Sequence, residues 1–496
     1  MRTSLRALLS VALLVGFYVL TGGLVVALGA LGFGWGSALD IFGGVAVRGL
    51  LFGSAFALLF TLVYVLGRVL LVRPPLPPGV RLTPERAPEL WRIVRDLATQ
   101  VDTRAPDEIR LVGEADVTVT DDARLFGLIP GRRTVTVGLP LLLAYTVDQL
   151  RAVLAHESGH FSRRHGATVR LAHHGRMLVV ETARHTTVAV LRGFLTGYAR
   201  LHVAVEQAVS RQLEYDADRY AVAAAGRSAM VDALRELRVV ATGWAEYREH
   251  RITPAYDGGH LPEDLFGGFA RYLAAYREEV RLRSVEVAPA EPAWWESHPP
   301  IGERIAALRF VRDVPVVADP RPATALLPDL DATGRELQRV LFDHAGIQLL
   351  PWEELAPLLA DRTARDLAHP LYQAAARLTG RADADLGLLL DLFAADRYAE
   401  LAEALAPDAE DEDALSALTV AFERAVEVAA VDSAAARWQD SGAATPELLT
   451  TDGTPLPLAE LVDLAADPET VPAARDLLTG LGIRTSATRP VPALPH

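Results

Sequence analysis

The spacing of apolar positions falls into three regimes along the chain. Ala7 to Leu39 and Gly49 to Gly67 contain no charged residue. Either run is long enough to cross a hydrocarbon layer of about 30 Å as a helix, which takes about 20 residues. The pattern predicts a helix over about residues 7–30, a Gly-rich turn around Gly32 to Gly44, and a second helix over about residues 47–72. A cleaved signal peptide is the competing reading, because Arg2 and Arg6 precede the first run. The run continues past signal-peptide length without a small-x-small cleavage site, which favours a helical hairpin.

A second regime begins after the stiff connector Arg73-Pro-Pro-Leu-Pro-Pro-Gly79, whose prolines forbid helix. Thr83 to Val101 is amphipathic, with Leu90, Ile93, Val94 and Leu97 on one side. Three β-prone segments follow, Glu108–Val112, Asp116–Thr120 and Arg132–Gly138, with Pro130-Gly131 as a turn. They predict a small sheet just ahead of the helix Leu150 to Gly166. That helix is opened by a capping box of Thr146 and Gln149, faced by Val147, Leu150, Val153 and Leu154, and stopped by Gly166. From Phe161 to Val209, arginines at 170, 176, 184, 192 and 200 interrupt the apolar pattern. Soluble or membrane-surface helices are expected there, not spans.

The third regime follows Phe310. Val314 to Pro328 reads as a Pro-rich extended linker. Helix-like stretches then alternate with loops: Gly334–Phe342, Trp352–Leu359, Leu371–Leu378, Leu386–Leu405 and Ala414–Ala430. Asp408 to Asp413 reads as a solvated acidic loop. The whole predicts an α+β, mostly helical chain in three parts: residues 1–75, 76–312 and 313–496.

Composition narrows the chemistry. There is no cysteine, so any metal must be held by His, Asp or Glu. There is no lysine either, and all 49 basic residues are arginines. Residues 313–496 hold 32 acidic and 13 basic residues, a net −19 against −14 for the whole chain. So acidic a tail argues against nucleic acid as a partner. Arg2 and Arg6 before the first span, and Arg68, Arg73 and Arg81 after the second, outweigh Asp40 and Arg48 between them. The positive-inside rule then puts both chain ends in the cytoplasm.

The chemistry centres on His156-Glu157-Ser158-Gly159-His160. Histidines four apart project from one helix face and can grip a single metal ion. Glu157 lies about 100° further round, where its carboxylate reaches a water beside the metal. A third ligand leaves one position open for water. The best candidate region is Ser210 to Ala221, where Glu214 and Asp218 border an apolar stripe. One carboxylate of that pair suits the metal, and the other suits a hydrogen bond that fixes an imidazole tautomer.

Three motifs together resemble the zinc metallopeptidases that include HtpX-like membrane proteases and the CAAX prenyl endopeptidase. The first is His156 to Phe161, preceded by Leu150 to Ala155. The second is Ser210-Arg211 followed by Glu214, Asp218 and Ala221, and the third runs from Ser297-His298-Pro299-Pro300 to Ile305-Ala306. The resemblance covers roughly residues 80–310. It implies a zincin-like metalloprotease domain at 76–312, between a transmembrane hairpin and a C-terminal helical region. It also implies one zinc ion per chain on His156, His160 and Glu214, with Glu157 as general base and Asp218 behind a ligand. His298 would lie near the site and help stabilise the oxyanion or the substrate.

The chain departs from the family where the usual Asn-Ala pair gives way to Glu114 to Thr120. That departure bears on how a substrate backbone is aligned. The expected partners are a protein or peptide substrate and a lipid bilayer. The expected function is a membrane-anchored endopeptidase acting on membrane or unfolded proteins, its site facing the cytoplasm. Two alternatives stand beside it: a sensor-type protease cleaving one cytoplasmic regulator, and a non-catalytic zinc-stabilised scaffold.

Overall fold

The computed structural model describes residues 2–34, 44–71, 76–122, 131–162, 179–286, 299–407, 409–439 and 446–486. The chain divides into two compact units, residues 1–245 with 277–343, and residues 246–276 with 344–496.

In the first unit, α1 (Arg2–Gly34) and α2 (Gly44–Leu71) pack on each other. Their stretches Val11–Phe33 and Val45–Val65 are long and apolar enough to cross a membrane. A four-stranded sheet follows, with β1 (Gly79–Leu82), β2 (Glu108–Val112), β3 (Val117–Asp121) and β4 (Arg133–Gly138) in the order β1-β2-β4-β3. β2 and β4 are parallel, while β1 and β3 pair antiparallel at the two edges. Within this sheet only β1 falls outside the expected strands; it has four residues and directly follows the proline cluster. The amphipathic helix α3 begins later than its pattern suggested, at Pro88–Gln100, because Thr83 accepts turn hydrogen bonds from Arg86 and Ala87.

After the short α4 (Leu139–Ala144) comes α5 (Val147–Gly159), which carries the histidines. The capping box forms: Thr146 N–H donates to Gln149 Oε1 at 2.8 Å, and Gln149 N–H donates to Thr146 Oγ1 at 3.3 Å. The helix does not run on to Gly166, which lies outside the described residues; it ends at Gly159, with His160 as its C-cap. Residues 179–185 form α6, and α7 (Ala189–Ala225) is a 37-residue helix that Gly226 ends at a positive φ of 87°.

The arginine-interrupted interval does not stand apart from the apolar hairpin. Val179, Ala183, Leu195 and Ala199 share a buried cluster with Leu14, Phe17 and Leu58. Tyr198 Oη donates to the Leu13 carbonyl at 2.7 Å. Arg184, Arg192 and Arg200 lie on the exposed side of these helices, so their presence in the sequence did not prevent the packing.

Helix α8 (Arg227–Tyr247) leads into a π-helical turn, Arg248–Ile252, then α9 (Thr253–Asp257), β5 (His260–Pro262) and α10 (Leu265–Glu286). The first unit is completed by α11 (Ile301–Leu308) and α12 (Leu330–Leu341). Between them, the linker straps the start of α5. Val147 N–H donates to Arg321 O at 2.8 Å, and Asp319 N–H donates to Asp148 Oδ2 at 2.6 Å.

The second unit continues through β6 (Gln348–Leu350), α13 (Trp352–Thr379), α14 (Leu386–Ala394), α15 (Tyr398–Leu405) and α16 (Asp411–Asp432). It closes with the hairpin β7 (Ala436–Gln439) and β8 (Glu447–Thr450), then α17 (Leu458–Ala466) and α18 (Val471–Gly480). Two expected helices are one: α13 runs through Pro357 and Pro370. A proline inside a helix costs about 3 kcal/mol. Burial of Ala364, Ala368, Leu371, Ala374 and Ala375 on both sides of Pro370 offsets that cost. The acidic stretch is partly helical too, with Asp411, Glu412 and Asp413 in the first turn of α16, where carboxylates meet the positive end of the helix dipole.

Candidate metal centre

The site is built where α5 crosses α7. Gly159 permits the approach, since a Cβ there would meet Tyr220 Cδ2 at 2.9 Å and Ala217 Cα at 3.2 Å. The end of α5 is held by its neighbours. Thr103 Oγ1 donates to the Phe161 carbonyl at 2.8 Å, and the Arg133 guanidinium stacks over the Phe161 ring.

His156, His160 and Glu214 each offer a ligand atom, and these atoms all lie within 4.8 Å of one another. His156 Nε2 is 3.4 Å from Glu214 Oε2, and His160 Nε2 is 3.5 Å from Glu214 Oε1. Donors bound at 2.0–2.1 Å around a tetrahedral ion stand about 3.4 Å apart. Each histidine thus stands near that spacing from a different oxygen of Glu214, and the nitrogen and oxygen donors suit zinc. Glu157 Oε1 stands 3.9 Å from His156 Nε2, and its side chain is 22% exposed, open to substrate and water.

Asp218 lies one turn beyond Glu214 and faces the other ring nitrogen, with His156 Nδ1 at 2.9 Å from Asp218 Oδ1. A carboxylate acceptor there holds the proton on Nδ1 and leaves the Nε2 lone pair for a metal. Burial alone would lower the His156 pKa, but the hydrogen-bonded carboxylates of Asp218 and Glu214 prevail and push it up to about 9. Burial would likewise raise the Asp218 carboxyl, and its bonds to His156 and Arg304 hold it below the usual range. The pocket is electrostatically made for positive charge.

Arg304 is the residue sequence reasoning passed over. Helix α11 starts after Pro300 and carries Arg304 into the site, where it is 7% exposed. Its Nη2 donates to Asp218 Oδ1 at 2.6 Å and its Nε to Asp218 Oδ2 at 3.2 Å. Nη2 also lies 3.2 Å from His156 Nδ1, the two donors sharing one carboxylate oxygen. The arginine was present in the third motif, but nothing in spacing alone said that its guanidinium would be buried against Asp218. His298, from the same motif, lies outside the described residues.

On α7 the polar row extends beyond the two acids. His202, Glu206, Ser210, Glu214 and Asp218 recur every fourth residue and all are buried. One helix face thus carries a polar line from near the apolar hairpin to the metal donors.

Residues 84–311 match the family model described as peptidase family M48. No curated protein and no solved structure matches the chain. That segment contains the HExxH helix, the Glu214 and Asp218 pair and Arg304, and through them it is similar to peptidase family M48, the metallopeptidases that include HtpX and the CAAX prenyl proteases.

Proposed function

We propose that the protein is a membrane-anchored, zinc-dependent endopeptidase whose site faces the cytoplasm and whose substrates are membrane or unfolded proteins. The observation that carries this reading is the convergence of His156, His160 and Glu214, whose ligand atoms all lie within 4.8 Å of one another. The anchor rests on the two apolar helices and on the arginines that flank them.

In this reading His156, His160 and Glu214 hold zinc, which when bound supplies Lewis-acid polarisation of the scissile carbonyl and a lowered pKa for water. Glu157 takes the proton from the attacking water and returns it to the leaving amine nitrogen. Asp218 keeps the His156 ring in its Nδ1–H form, and Arg304 keeps Asp218 ionised and aimed. β3 is the last strand of its sheet and packs beside α5. Its outer edge offers main-chain hydrogen bonds to an extended peptide, an affinity that tolerates many sequences.

The test compares detergent-purified wild type and Glu157→Gln, both zinc-loaded, on an unfolded protein. Fragments that appear with wild type and vanish with Glu157→Gln or a chelator support the reading. One zinc per chain with no cleavage by either protein overturns general proteolysis and leaves a dedicated substrate or a scaffold.

A further inference from the structure

The second unit contains a cavity of about 620 Å³ between α13, α16, the β7–β8 hairpin and the π-helical turn. That is the size of an ordinary small-ligand site. Its walls are largely apolar, with Leu359, Leu367, Val420 and Leu456 among the lining. Leu367 and Val420 are nearly half exposed, at 45% and 44%.

Two polar groups in this lining are unsatisfied. Glu427 is 2% exposed; Arg424 Nη1 donates to its Oε1 at 2.5 Å, and its Oε2 has no hydrogen-bond partner. The indole Nε1–H of Trp438 has no acceptor. Buried polar groups are almost always bonded, so two unmade bonds at one cavity call for an explanation. One group lacks a donor and the other lacks an acceptor. Arg424 pairs with Glu427, and the lining also holds Arg251 and Glu447, so the formal charges around the cavity cancel and it does not select for a charged occupant. An acyl chain offers neither a donor nor an acceptor, whereas a peptide backbone offers both at every residue.

We propose that this cavity binds a short apolar peptide segment, Glu427 and Trp438 turning toward it so that Oε2 accepts a main-chain N–H and the indole donates to a main-chain carbonyl. The segment's apolar side chains pack on Leu359, Leu367, Val420 and Leu456. This binding is separate from the hydrolytic chemistry at His156 and His160, so its test does not depend on cleavage.

The experiment uses the full chain as Glu157→Gln in detergent, with a tetraleucine peptide blocked at both ends and carrying one photoreactive diazirine side chain. Mass-spectrometric mapping should place the cross-links within residues 356–367, 420–427 or 446–458. Replacing the peptide's amides by esters, which removes N–H donors, should weaken labelling about tenfold, equivalent to about 1.4 kcal/mol. Val420→Trp and Leu367→Trp, two filling substitutions at part-exposed positions, should each suppress labelling while the melting curve persists. Cross-links confined to the α5–α7 site, or scattered over the chain, would overturn the proposal. Equal labelling by amide and ester would overturn it too, and would identify a pocket for lipid or detergent tails.

Discussion

Charge is buried in one unit of this molecule and hardly at all in the other. Among the described residues, the first unit buries Glu108, Arg133, His156, His202, Glu206, Glu214, Asp218 and Arg304. The second buries one acidic or basic side chain, Glu427, within a core of leucines and alanines such as Leu389, Leu390, Leu418, Ala425 and Ala430. Taking an ion out of water costs several kcal/mol even after relaxation. A chain carries such a cost where chemistry needs the ion. The alanines let α13 and α16 approach closely, and the Arg365–Asp432 ion pair at 2.7 Å joins the two helices at their partly exposed margin. Most of these groups in the first unit lie on α5, α7 and α11, the helices that carry the candidate site, and Glu427 is the exception in the second unit that needs a reason.

The contrast breaks most visibly at the proposed general base. Glu157→Gln keeps the shape of the side chain but cannot take a proton, and hydrolysis should fall by roughly 10²–10⁴-fold. Zinc content, measured by elemental analysis, should stay at one per chain, because Glu157 is not among the three converging donors. If zinc is lost along with activity, Glu157 is a ligand and the assignment of roles is wrong.

Phe393→Ala is the matching change in the second unit. Phe393 is 1% exposed and packs against Phe422 and Tyr398. Truncation should cost about 3–5 kcal/mol of stability, read by denaturant unfolding. The zinc stoichiometry of the folded protein should not change. A loss of zinc at concentrations of denaturant that leave the first unit folded would show that the two cores are not separate devices.

Arg304→Met sharpens the comparison from inside the site. It leaves Asp218 with His156 alone and deletes a buried cation. Partners of metal-ligating histidines are worth about 10–100-fold in metal affinity, and a loss of that size is expected in chelator competition. Arg304→Lys should recover little, because a lysine cannot supply the two-pronged bond to Asp218. Full rescue by lysine would mean that charge, not geometry, is what the position provides.

These residues also show how far the sequence could be read. Histidines four apart on a capped helix are a local pattern, as are the alternating strands, so α5, β2, β3 and β4 were legible. Glu214 and Asp218 came from the same kind of local spacing joined to a resemblance. What the sequence hid is what tertiary packing decides. Arg304 reaches the site only because α11 packs against α7, and the α13 helix survives Pro370 only because its apolar face is covered on both sides. The start of α7 reads in sequence as a soluble or membrane-surface helix, and it packs against the apolar hairpin. Its arginines all fall on one side, and periodicity alone did not show which side would be covered.

The smallest expected effect lies at the strap over the start of α5. Arg321 Nη2 is 2.7 Å from both Glu89 Oε1 and Asp319 Oδ2, in an exposed setting where ion pairs contribute little. The hydrogen bond from Arg321 holds both carboxyls below their usual pKa. A carboxyl with a lowered folded-state pKa adds stability above its unfolded value, and that stability fades as pH falls through the folded value. The melting temperature of wild type should therefore exceed that of Arg321→Gln slightly at pH 7, and the gap should close in acid below about pH 4. About 1 M salt should narrow it as well, since screening then acts within about 3 Å. The main-chain bond from Val147 to Arg321 O survives this substitution, so zinc affinity should hold. A gap that persists in acid and salt would instead assign the strap's contribution to packing of the Arg321 stem, and the exposed ion pair would have no share in holding α5.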